Sequence, residues 1–132
     1  MTTTALLTTC TGQIAFFHGT KANRRLMYSL GGAAPQELRG GMRALEAHQR
    51  LVWRADCAAL FYPAADNLGY HNLYQTTLTG KTTLLTDYFR VNSVPLAAHP
   101  NGNTLLTLSD LRGETNIRLY DLDTRRYRKV TH

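Results

Sequence analysis

The sequence predicts an all-β chain made of three similar units in tandem, each of four short antiparallel strands. Three observations carry this. Short runs rich in apolar, β-branched and aromatic residues alternate with turn residues along the whole length. Only one stretch, Met42–Arg50, has helical spacing, with Met42 and Leu45 three apart. The same order of strand, turn, strand, loop, strand, turn and strand recurs with a period of about 45 residues, the signature of blades in a partial β-propeller.

The plan is clearest in the last unit. Asn101-Gly102 is a tight-turn dipeptide, since both residues tolerate positive φ. Thr104–Leu108 is a β-favouring apolar run, and the polar stretch Ser109–Asn116 reads as a loop. Ile117–Leu122 alternates apolar with polar residues, as a half-buried strand does, and Asp123-Thr124 turns the chain into a polar outer strand from Arg126 to Thr131. Sliding back one period brings Gly102 onto Cys57 and then Gly12, Leu105 onto Leu60 and Ala15, and Leu106 onto Phe61 and Phe16. The third strands also correspond: Leu26–Leu30, Leu73–Leu78 and Ile117–Leu122. The blades predicted are about 1–41, 46–88 and 91–132 of one propeller-type domain.

In the first unit the expected strands are Thr3–Thr8, Gln13–Phe17, Leu26–Leu30 and a weak outer one near Gln36–Arg39, with Gly19–Asn23 as a polar loop. Met42–Arg50 reads as a turn or two of helix between blades. In the second unit Leu51–Trp53, Ala58–Tyr62, Asn72–Leu78 and Lys81–Thr86 are the strands, and Trp53 is expected to pack between blades. Pro95 interrupts the inner strand of the third, which places it at an edge or a bulge.

At 132 residues the chain is long enough to bury a core. No apolar run is long enough to span a membrane. The start, Met1–Cys10, lacks the charged and long apolar segments of a secretory signal, which fits a cytoplasmic protein or a piece of a longer exported one. Cys10 and Cys57 have no metal-ligand spacing and are expected as buried or half-buried free thiols. The net charge is +6, and the basic residues are not one compact block: Lys21, Arg24 and Arg25 fall in one expected loop, and Arg125, Arg126, Arg128 and Lys129 in the last hairpin. With no nucleic-acid module alongside, this reads as a solvated face, not a polyanion site.

The third unit resembles the WD-repeat-like propeller repeat of the TolB family through His99-Pro100-Asn101-Gly102, Leu105-Leu106, Asn116-Ile117, Asp121-Leu122-Asp123 and Val130-Thr131. The second keeps Trp53-Arg54-Ala55-Asp56, Leu60-Phe61, Leu73-Tyr74, Thr79-Gly80 and Leu84-Leu85-Thr86, and the first keeps Ile14-Ala15-Phe16 and Leu38. The repeat is also similar to the propellers of prolyl-oligopeptidase-type peptidases and oligogalacturonate lyases. What the resemblance implies is a fold. Propellers close with about four to eight blades, so three blades imply either a piece of a longer propeller or a homodimer completing a six-bladed ring.

In such an architecture the loops between second and third strands, and those between blades, share one rim. The rim candidates for binding are His18, His48, His71, His132, Arg24, Arg25 and Arg112, with Lys21, Tyr70, Asp87, Asp110 and Glu114 beside them. No His-x-His pair, nucleophile elbow, His-Glu-x-x-His, phosphate loop or dinucleotide fingerprint occurs, so no catalytic residue, metal ligand or cofactor is assigned. The expected function is a non-catalytic binding or scaffold module for a protein, peptide or carbohydrate. The alternative is part of a propeller enzyme: a metal-dependent oligogalacturonate-lyase-like polysaccharide lyase, or the propeller of a prolyl-oligopeptidase-type peptidase.

Overall fold

Three four-stranded antiparallel meanders stand side by side in a computed structural model, which describes residues 3–20, 23–38, 50–65, 68–88 and 90–128. Blade 1 comprises β1 (Thr3–Cys10), β2 (Gln13–Thr20), β3 (Asn23–Leu30) and β4 (Gln36–Glu37). Blade 2 comprises β5 (Val52–Trp53), β6 (Ala59–Ala65), β7 (His71–Thr77) and β8 (Thr82–Leu84). Blade 3 comprises β9 (Ser93–Ala98), β10 (Thr104–Ser109), β11 (Asn116–Asp121) and β12 (Arg126–Arg128). The strands of each blade follow chain order, as short hairpin connections require. The helical-looking stretch 42–49 lies outside the described residues.

The core is the two seams between blades. Ala15, Phe17, Leu26 and Leu38 of blade 1 pack with Leu51, Trp53, Leu60 and Tyr62 of blade 2, and the Phe17 ring meets Tyr62 edge-on at 6.0 Å. Phe61, Leu73 and Leu85 of blade 2 pack with Leu105 and Tyr120 of blade 3. Neighbouring strand residues point to opposite sides, so Leu60 serves one seam and Phe61 the other. This is why β6 reads as an unbroken apolar run: both its faces are covered. Each large side chain buried this way contributes about 1.5–3 kcal/mol. Trp53 lies in the first seam, as expected. Pro95 is fully buried in the edge strand β9, beside a register shift opposite Leu106 and Thr107, so the ladder loses little by its missing N–H.

Turn chemistry explains one departure from the period. In blades 2 and 3 the first hairpin turns over residues 55–58 and 100–103, closed by Cys57 N–H to Arg54 O at 2.8 Å and Gly102 N–H to His99 O at 3.0 Å. Cys57 and Gly102 share positive φ, at 60° and 79°. Blade 1 instead pairs Cys10 directly with Gln13 across Thr11-Gly12, both at positive φ. The structural counterparts of Leu60 and Phe61 are therefore Ile14 and Ala15, one position earlier than the sliding comparison suggests. The expected loop Gly19–Asn23 is also corrected: β2 and β3 stay paired to Thr20 and Asn23, because a ladder needs only backbone groups and accepts polar side chains. Arg24 and Arg25 consequently belong to β3.

The cysteines are corrected as well. Cys10 and Cys57 form a disulfide, with Cα atoms 5.9 Å apart. The short turn of blade 1 and the left-handed backbone at Cys57 bring the end of β1 beside the first turn of blade 2, which spacing along the sequence does not reveal. The bond closes a loop of 47 residues between blades.

On the other seam, the buried Tyr120 hydroxyl donates to the Leu85 carbonyl. Burial is the main cause that pushes its ionisation above the ordinary value of 10.0. Tyr127, stacked edge-on at 5.2 Å, is raised by burial too, against a hydrogen bond with Ser93 that lowers it.

Two outcomes are expected. Reducing the disulfide, or the double change Cys10→Ser with Cys57→Ser, lowers stability by about 2–4 kcal/mol in denaturant unfolding; an unchanged midpoint would show that the cross-link contributes nothing. Because Tyr120 and Tyr127 hold their protons more tightly folded than unfolded, their contribution is intact below pH 10 and declines as pH rises above it. Alkaline melting curves should show this fall, and Tyr120→Phe should flatten it.

Candidate functional site

At the end of the blades where β6 and β10 finish and β7, β9 and β11 begin, three polar residues tie the second seam. His71 opens β7, Asn92 stands immediately before β9, and Asp110 immediately follows β10. Asn92 is the hub. Its backbone N–H donates to Asp110 Oδ1 at 2.7 Å and its side-chain amide to Asp110 Oδ2 at 2.9 Å, while Asp110 N–H returns a bond to the Asn92 carbonyl at 3.2 Å. The Asn92 Oδ1 accepts the His71 backbone N–H at 2.9 Å and lies 3.4 Å from His71 Nδ1. Hydrogen bonds to an ionised carboxylate are stronger than neutral ones, so Asp110 holds Asn92, and Asn92 holds blade 2 against blade 3.

The loop after Asp110 is braced from two sides. It makes a single tight turn over Leu111–Gly113, with Arg112 and Gly113 at φ of 66° and 87° and Gly113 N–H bonded to Asp110 O at 2.9 Å. Ser109 Oγ accepts the Leu111 N–H at 3.2 Å, and Arg118 donates to the Leu111 carbonyl at 2.8 Å. Between this loop and blade 2 lies a cavity of about 550 Å³. Gly69 and His71 form its blade 2 side; Asn92, Ser109, Asp110 and Thr115 supply polar groups from blade 3, and Val94 and Leu108 supply the apolar ones. An imidazole, an amide, two hydroxyls and one carboxylate around an apolar patch suit a ligand with both hydrogen-bonding groups and carbon surface.

Among the described residues, the rim candidates do not converge on one place. His71 lines the cavity, and Arg112 is exposed at the tip of the neighbouring turn. His18 is exposed on β2, directly across from the exposed Arg25 on β3, at the flank of blade 1. Arg24 pairs along the backbone with Gly19. His48 and His132 lie outside the described residues. Among the described residues, no group of three His, Cys, Asp or Glu side chains is placed to hold a metal ion. Asn92, Ser109 and Thr115 escaped the sequence reading. Sliding by 45 residues puts Asn92 on Ala47 and Thr2, and Asp110 on Ala65 and Thr20, so comparing the repeats raises no signal there.

Comparisons with protein-family models and with curated proteins return no match. Solved structures do match. The chain superposes on TolB from Acinetobacter baumannii with a TM-score of 0.70 at 16% identity, covering 92% of this chain and 30% of that one. A protein assigned as TolB from Agrobacterium tumefaciens gives 0.71 at 15% identity, over 92% and 43% of the two chains. A chain of the nidogen/laminin complex gives 0.63 at 12% identity, over 89% and 43%. The fold is thus that of a partial β-propeller, and the chain spans less than half the length of these structures.

Replacing Asn92 by Ala removes the shared partner of Asp110 and His71. The expected loss is about 1–3 kcal/mol in thermal or chemical unfolding, together with faster amide exchange at His71. Retention of wild-type exchange there would mean that Asn92 does not join the blades.

Proposed function

We propose that the chain is a non-catalytic binding module that seats a short peptide or glycan segment of a larger partner in the cavity between blades 2 and 3. The observation that carries this is the cavity's construction. His71, Asn92, Asp110 and Ser109 are already held by their mutual bonds and by the braced loop, so little ordering of them remains when a ligand enters. Its volume lies within the ordinary range for ligand sites, roughly 300–1,000 Å³. A sugar would offer hydroxyls to Asp110, Ser109 and Thr115, and its ring carbons to Val94 and Leu108. A peptide would offer its backbone groups to the same atoms. The Cys10–Cys57 bond supports a setting in an oxidising compartment, where disulfides persist. The nidogen/laminin structure supports a partner of macromolecular size, because there a chain of this fold takes part in a complex.

The test is a screen of immobilised glycans and peptides, followed by titration of the best ligand against His71→Ala and Thr115→Ala. Each change should weaken binding by about tenfold or more while the melting temperature moves little, since neither removes a large buried apolar group. A ligand bound equally well by both variants sits elsewhere, and the cavity reading fails.

A further inference from the structure

Blade 3 carries a seam face without a partner blade among the described residues. Counting from the pair that closes the first hairpin of each blade, the third residue of the second strand is Ala15, Phe61 and Leu106. Their neighbours on the third strand, on the same face, are Leu26, Leu73 and Ile117. Leu26 is 2% exposed and Leu73 0%, each covered by the next blade, whereas Ile117 is 56% exposed. Leu106, Leu108 and Leu119 share that face with Ile117 and are only partly covered. It is apolar at the positions where the two internal seams are apolar.

Blade 1 has the complementary lack. The residues that receive a preceding blade are Leu60 and Tyr62 in blade 2, and Leu105 and Thr107 in blade 3, all fully buried. Their counterparts in blade 1 are Ile14 and Phe16, with Met27 paired to Phe16 across the ladder, and all three remain partly exposed. One chain therefore presents both halves of a seam, at opposite ends of its arc.

We propose that a second copy of this chain covers both faces. The blade 3 face built on Ile117 and Leu106 packs on the blade 1 face built on Ile14 and Phe16 of the other copy, and the reverse contact closes the ring. Two such contacts related by one two-fold axis give six blades, within the range at which propellers close. A heterologous contact that did not close would instead run on into open polymers. The occupant is a second copy because the chain already carries, in its two internal seams, the residue pattern that each open face needs. The ligand cavity is formed within one chain, and Leu108 is the one residue named both in its lining and on this face.

Light scattering of the unmodified chain from about 1 to 100 μM tests it. The expected species has twice the 14.8 kDa chain mass, and small-angle scattering should show a closed disc. Ile117→Asp and Phe16→Asp each put a carboxylate into both contacts of the ring and should raise the dimer dissociation constant at least 100-fold. Circular dichroism checks that both variants stay folded. Should either unfold, the disc profile of the unmodified chain decides alone. A monomeric unmodified chain, or open polymers, overturns the proposal. So does a dimer lost in Ile117→Asp but kept in Phe16→Asp, because that would be pairing of two blade 3 faces.

Discussion

A β-sheet with apolar residues on both faces has to bury both, and everything else in this molecule follows from how its blades do so. Blade 2 shows it most plainly. Leu60 and Phe61 are adjacent in sequence and both fully buried, one against blade 1 and one against blade 3. A sheet with a wet face would alternate apolar with polar residues; β6 cannot. Its large aromatic, Tyr62, satisfies its hydroxyl locally on Thr76 at 2.6 Å, so burial of the ring leaves no polar group stranded.

Apolar burial has no direction, so the blades also need links that set their angle and register. These lie at opposite ends. At the hairpin end, Cys10–Cys57 joins blade 1 to blade 2 covalently. At the rim end, Asn92 joins blade 2 to blade 3 through His71 and Asp110. Between them, Tyr120 reaches from blade 3 to the Leu85 carbonyl of blade 2. The cavity beside Asn92 is thus a product of the seam. Its walls belong to different blades, and the bonds that stabilise the seam also position the groups a ligand would meet.

The seam origin of the site also separates it from the charged surface. His18 and Arg25 face each other across a hairpin at the flank of blade 1, away from the polar cluster. Arg112 owes its exposed position to the left-handed turn that braces the cavity loop. A count of basic residues or histidines along the rim would group these three with His71. Strand pairing disperses them, because residues near one another on a rim can still belong to different faces of different sheets.

That the chain is all-β and builds four-stranded sheets was legible in the residues, because apolar runs and turn residues act locally: Asn101-Gly102, the β6 run and the alternation of Ile117–Leu122 each declare their own conformation. The sequence also placed Trp53 between blades and Pro95 at an irregular edge. Features that span a seam depend on distances that no local pattern encodes. The disulfide required two turns of different length to meet, and the Asn92 hub required strand ends from two blades to come together. The paired extension of β2 and β3 depended on backbone hydrogen bonds that polar side chains do not advertise. Local chemistry writes the blades into the chain, whereas the geometry of one sheet against the next creates the site.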